Sequence, residues 1–191
     1  VINFSIVYLF KSYTIISNLI IISALFLIIS TLFDLFKSSK NSNFDLARIT
    51  SHLSFGFLVL FIGLNHNFSI ERDFNLKVGE KISFDNYEIK LKRLNLKDFS
   101  NYKAVIGNLE VKNTKLEEIN ILSPEIRIYD NPKTLTYEAA IKTNLIKDYY
   151  LTMSNIDRSE FYNIKFQKKP MMIWIWVSVF MLSLGGFLRV F

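Results

Sequence analysis

SYTIISNLIIISALFLIISTLF, residues 12–33, runs without a single charge from Lys11 to Asp34. At about 1.5 Å of rise per residue such a helix reaches roughly 33 Å, enough to cross the ~30 Å hydrocarbon layer of a bilayer. The run therefore predicts a transmembrane helix, over residues 12–36, and not the core helix of a soluble domain. Hydrophobic residues make up 50% of the 191-residue chain, and their clustering decides its class.

Two further runs repeat the pattern. Ile49–Leu64 is near the short limit for spanning and contains Thr50, Ser51 and Ser54, so its lower end is expected to pack on protein. We place this helix over residues 49–66. Pro170–Leu188 lies between Lys169 and Arg189; Pro170 suits a first helical position, and Trp174 and Trp176 fall where indole rings favour the membrane interface. Residues 1–10, VINFSIVYLF, are apolar but too short to cross. Without an initiating Met, a basic segment ahead of them or a small-residue cleavage site, residues 1–11 read as the tail of a preceding helix rather than as a signal peptide.

The loop 37–48 carries Lys37, Lys40 and Arg48 against Asp45, which by the positive-inside rule makes it cytoplasmic. Residues 67–169 then lie outside, and residues 189–191 form a cytoplasmic tail. The expected membrane is the bacterial inner membrane with the domain in the periplasm; the mitochondrial inner membrane is the alternative. Within 67–169, eighteen Lys and Arg face fifteen Asp and Glu, with no basic block to suggest nucleic acid. The absence of Cys excludes disulfides, thiolate metal ligation and a Cys nucleophile in this chain.

Lys81–Leu94, Ala104–Val111, Glu125–Tyr129 and Phe161–Gln167 alternate apolar and polar residues as half-buried strands do. Asn- and Asp-rich breaks at Asp98–Asn101, Asn113–Lys115 and Asp130–Lys133 read as turns. The fold class is therefore a three-helix transmembrane protein with a β-rich extracytoplasmic domain between its second and third helices.

His52 is the one ionisable side chain inside the three apolar runs, and such a residue is a functional candidate by default. At about 100° per residue, Gly56, Val59 and Gly63 fall within some 40° of it, forming a smooth groove below the imidazole. A groove of small residues admits either a second helix or a flat macrocycle, and a neutral imidazole is a common axial ligand of haem iron. Interhelical hydrogen bonding, haem ligation and proton relay all stay open at this point. His66 projects from the same face about 21 Å along, too far to share one iron, and beside Asn65 and Asn67 it reads as an interfacial side chain.

Glu71, Arg72 and Asp73 are adjacent, and an Arg between two acids reads as an ion pair fixing a domain to its stalk. Glu138 is read as structural too. No P-loop, zinc-type His spacing or serine nucleophile elbow is present, so no soluble-enzyme active site is visible.

The order of features has a known counterpart. The His-bearing helix, NFSIERD at Asn67–Asp73, Gly79, Tyr87, EAAI at Glu138–Ile141, then Lys169, Pro170, Trp174, Trp176, Met181, Gly185 and Gly186 together resemble the C-terminal region of the CcmF family of cytochrome c-type biogenesis proteins, over roughly residues 45–189. The resemblance implies a component of a haem lyase, which helps hold substrate haem and attach it covalently to apocytochrome c outside the membrane. It implies a separate haem b with His52 as one axial ligand and Gly56 and Gly63 in its site. Implied partners are the haem chaperone CcmE, a CcmH-type thiol protein, apocytochrome c, and the N-terminal part of the same protein or a separate subunit carrying it.

Departures limit what is implied. The tryptophan-rich WWD segment, its flanking His residues and the second intramembrane His belong to the family's N-terminal portion and are absent here. Ser178 and Val179 stand where the family often has Gly, and residues 1–36 match only as generic helix. The chain is thus expected to be a fragment or a split subunit, inactive as a lyase alone. A non-enzymatic membrane-anchored scaffold whose β domain docks assembly partners is the alternative reading.

Overall fold

Asp45 opens the middle membrane helix. In the computed structural model, which describes residues 15–38, 45–155 and 160–190, its carboxylate accepts the Arg48 N–H at 3.0 Å. A side-chain oxygen in that position satisfies one of the orphan donors at a helix start. The helix consequently begins ahead of the apolar run that marks it in sequence. It spans Leu46–Phe68 (α2) and follows Ile15–Ser38 (α1). The last helix is Met172–Val190 (α3). All three are long and apolar enough to cross a membrane. The expected tail of a preceding helix over residues 1–11 and half of the loop 37–48, residues 39–44, lie outside the described residues.

Gly56 and Gly63 close on α1. A methyl added at Gly56 would meet the Ile28 side chain at 2.7 Å, and one at Gly63 would meet Ile21 at 2.9 Å. On its other side, α2 receives α3: a methyl on Gly185 would lie 2.4 Å from the Ser51 hydroxyl and 2.8 Å from the Ser51 backbone nitrogen. Phe61 stacks near Trp174, with ring centres 6.1 Å apart, so α2 and α3 run antiparallel with α2 in the middle. Arg189 bonds Asp45 at 3.0 Å and Arg48 pairs with Asp34 at 3.4 Å, gathering charge at one end of the bundle. From Asp45 to Asn65 the helix climbs about 30 Å, one hydrocarbon thickness.

Pro170 departs from expectation. It closes a strand instead of starting the helix, and Met171, at φ 60°, turns the corner between them. Lacking an N–H, proline suits a strand end as well as a first helical turn.

Among the described residues, ten strands make a second compact unit: β1 (Ile70–Leu76), β2 (Lys81–Phe84), β3 (Tyr87–Asp98), β4 (Tyr102–Asn113), β5 (Glu118–Leu122), β6 (Glu125–Asp130), β7 (Lys133–Glu138), β8 (Ala140–Thr143), β9 (Lys147–Asn155) and β10 (Tyr162–Pro170). One sheet has the order β1-β10-β9-β8; the other is β2-β3-β4-β6-β7, with β5 also paired to β4. The stretch Lys81–Leu94, which alternates like one strand, is a hairpin turning at Asp85 and Asn86, with Asp85 at φ 48°. Short polar residues tolerate that left-handed conformation.

Inward residues of both sheets meet as a sandwich. Ile89, Leu91, Leu109 and Val111 face Tyr149, Leu151, Ile164 and Phe166, each 0 or 1% exposed. Tyr87, Tyr149 and Phe166 form an aromatic cluster with centre distances of 5.2 to 6.0 Å. This core is closed, and the sandwich is a folded module in its own right.

Gly185 and Gly186 make a paired test of the helix packing. Nothing lies within 4 Å of a methyl placed on Gly186. Gly185→Ala is expected to cost about 1–3 kcal/mol through backbone overlap, and Gly186→Ala close to nothing, as read by detergent-titrated unfolding of the purified chain.

Candidate functional site

His52 stands in the second turn of α2, about 9 Å along the axis from Leu46. It is exposed on the helix surface, and its Nδ1 lies 2.8 Å from the Arg48 carbonyl oxygen one turn back. A carbonyl only accepts, so the ring nitrogen facing it carries the proton. In the neutral ring the Nε2 lone pair is then directed away from the helix. Histidines that bind metals commonly donate their second ring N–H in this way, which fixes both tautomer and ring orientation. An imidazole oriented in this way can offer Nε2 to a metal.

No second imidazole lies nearby among the described residues. His66 shares the exposed face but is about 21 Å away along the axis, and among the described residues no three His, Asp or Glu side chains converge on a point. Between the two histidines, Phe55 and Ile62 remain 50% and 49% exposed. The chain thus presents a continuous apolar strip with His52 near one end and His66 near the other.

The small-residue groove needs correcting. Gly56 and Gly63 were expected to admit a helix or a flat ring, and the occupant is α1, whose Ile28 and Ile21 fill the space. No flat macrocycle has room there. The two glycines instead let α1 approach closely, while the imidazole itself stays exposed.

A second feature has no counterpart in the sequence reading. A groove of about 470 Å³ opens between the helices, lined by Leu46, Leu53, Phe57 and Phe61 of α2 with Trp174 and Met181 of α3. Its mean direction on α2 is roughly 140° from that of His52. Its only polar lining is Thr50, Ser54 and Ser178, and the Ser178 hydroxyl donates to the Trp174 carbonyl at 2.8 Å. It carries no ionisable side chain and lies apart from the histidine site. Spacing of apolar residues cannot distinguish such a gap from a packed seam.

The charged triplet is arranged differently from expectation. Arg72 does not pair with the carboxylates beside it; its guanidinium donates to the Glu71 carbonyl at 3.2 Å and pairs with Asp85 at 3.6 Å. Alternation along β1 sends Glu71 and Asp73 to the opposite face, where Glu71 pairs with Lys165 of β10 and Asp73 stands across from it in register. The Lys165 ammonium is raised above its ordinary range by the hydrogen bond to Glu71, with Asp73 adding to the effect. These are cross-strand ties within the sandwich, not a carboxylate pair poised for catalysis. Glu138 lies 3.9 Å from Arg127, which Glu125 also holds at 2.8 Å.

With that geometry in place, the family assignment follows. The CcmF C-terminal beta-sandwich family matches residues 67–170, more than half of the chain. The chain belongs to the CcmF family. It is 27% identical over 152 residues to cytochrome c-type biogenesis protein CcmF of Haemophilus influenzae, covering 80% of this chain and 23% of that protein. With CcmF of Escherichia coli the identity is 24% over 143 residues, 75% of this chain and 22% of the relative. A solved structure, cytochrome c heme lyase CcmF, superposes with a TM-score of 0.66 at 16% identity over 93% of this chain and 31% of that one, a likeness of fold. The chain spans less than a quarter of the length of these curated CcmF relatives.

The imidazole tautomer is directly measurable, because the chain has only two His residues. In a His66→Gln variant in lipid, ¹⁵N NMR is expected to find Nδ1 protonated and Nε2 bare in the remaining ring. Protonation at Nε2 would contradict the bond to Arg48.

Proposed function

We propose that this chain is the C-terminal part of a haem lyase component of cytochrome c maturation. In this reading it contributes one axial ligand, His52, to a haem b whose other ligand comes from polypeptide beyond this chain. The observation that carries the reading is the exposed imidazole whose Nδ1–H is held by Arg48, leaving Nε2 free on a membrane helix. The CcmF relatives, named for cytochrome c biogenesis and more than four times as long as the stretch matched, support it.

A haem b ligated this way supplies reversible one-electron chemistry, at a potential set by its axial ligands and its surroundings. The chain's own contribution is to hold and orient. Arg48 fixes the imidazole ring, Gly56 and Gly63 fix α2 against α1, and the strip through Phe55 and Ile62 receives the helix that brings the second ligand. Outside the membrane, in the periplasm of a bacterial inner membrane, each thioether forms when an apocytochrome thiol adds across a haem vinyl group, S–C and C–H bonds replacing S–H and one C=C bond. All thiols belong to the apocytochrome and the thiol partner, in keeping with a chain that has none. Within this scheme the sandwich is the docking module for the haem chaperone CcmE, the CcmH-type protein and apocytochrome c.

Coexpressed with its N-terminal complement, the chain is expected to copurify with a b-type absorption spectrum. His52→Ala should abolish that spectrum and His66→Ala should preserve it. A spectrum that survives His52→Ala overturns the ligand assignment. Partner capture by the sandwich without any bound haem, unaffected by His52→Ala, would instead favour a scaffold.

A further inference from the structure

Asn144–Lys147, the turn between β8 and β9, groups with the membrane helices and not with the sandwich. At its tip Leu145 and Ile146 are each 65% exposed. We propose that this tip is a lipid contact, with Leu145 and Ile146 seated in the interfacial layer of the bilayer beside Trp174.

Three observations converge on it. The first is depth: the Trp174 indole N–H donates to the Leu145 carbonyl at 2.8 Å, and the Met171 N–H donates to the Ile146 carbonyl at 2.9 Å. Trp174 belongs to the first turn of α3, at the end of the span away from Arg189, and indole rings concentrate at the membrane–water boundary. The turn is bonded to residues at that level.

The second is backbone closure. The Asn144 side-chain oxygen accepts the N–H groups of Ile146 at 2.9 Å and Lys147 at 2.8 Å, and the Asn144 N–H donates to the Lys147 carbonyl at 3.1 Å. The carbonyls of Leu145, Ile146 and Lys147 are therefore all bonded, as are the amides of Asn144, Ile146 and Lys147. Asx turns of this kind also form in water, but non-helical backbone at membrane depth requires such bonds because lipid offers no replacement partners.

The third is side-chain chemistry. Turn apices usually carry Gly, Asn, Asp, Ser or Pro, and here two adjacent aliphatic residues occupy the apex. Lys142 and Lys147 flank them in sequence, and cations beside a membrane-facing segment are drawn to anionic headgroups. Apolar tip, cationic flanks and a neighbouring indole together match a lipid surface.

The Cys-free sequence makes the test direct. Leu145→Cys, Ile146→Cys and Leu96→Cys, the last at an 80% exposed site on β3, are each labelled with NBD. The full chain is then reconstituted in phosphatidylcholine–phosphatidylglycerol vesicles containing nitroxide lipids. Labels at 145 and 146 are expected to emit blue-shifted and to be quenched more strongly by a nitroxide near the headgroup than by one at the chain end. The label at 96 should be solvent-like and unquenched, the reference for a site in water. Solvent-like emission at 145 and 146 would overturn the proposal by placing the tip in water. Blue-shifted emission without lipid quenching would overturn it by placing protein over the tip.

Discussion

Where Gly185 meets Ser51, a methyl group would stand 2.8 Å from a backbone nitrogen, and α3 lies against α2 only because that methyl is missing. Lipid tails are as apolar as leucine, so no hydrophobic force draws helices together inside a bilayer. Association there depends on contact distance and on polar links. Gly56 and Gly63 do for α1 what Gly185 does for α3. The remaining links lie at the two ends, Arg189 with Asp45 on one side and Asn65 with the Pro170 carbonyl on the other.

That packing determines which surface remains for chemistry. With α1 and α3 occupying opposite sides of α2, two faces stay open: an apolar groove without ionisable groups, and a strip with His52 near one end. On the strip, the carbonyl of Arg48 selects the imidazole tautomer, while Arg48's own guanidinium is drawn to Asp34. One residue thus orients the ring through its backbone and fastens α1 to α2 through its side chain. Outside the membrane the same economy recurs in β1, where alternating acids face Lys165 and Arg72 turns the other way to Asp85.

Much of this is legible in the sequence. Twenty-two uncharged residues before Asp34 have few fates other than a membrane span, and period-two alternation in β4 and β6 has few other than a strand. His52 was conspicuous for the same reason, an ionisable ring among apolar residues. What escaped was non-local. β1, rich in charge, reads as a stalk because its partner β10 is some ninety residues away, and nothing near Glu71 announces Lys165. The hairpin at Asp85 and Asn86 hides because alternation continues through it. Gly56 and Gly63 mark a close approach without naming what approaches; only the side chains of Ile21 and Ile28 decide it. The bond from Trp174 to Leu145 joins a helix to a turn with no shared pattern at all.

The central claim is that the His52 strip is an interface completed by polypeptide outside these 191 residues. A photoreactive benzoylphenylalanine at position 55, on that strip and half exposed, tests it in the intact membrane assembly. Irradiation is expected to give a cross-link to a transmembrane helix of the N-terminal portion or subunit, mapped by mass spectrometry near its intramembrane histidine. Adducts to lipid alone would contradict the account, because the imidazole would then face hydrocarbon with nothing to complete its site.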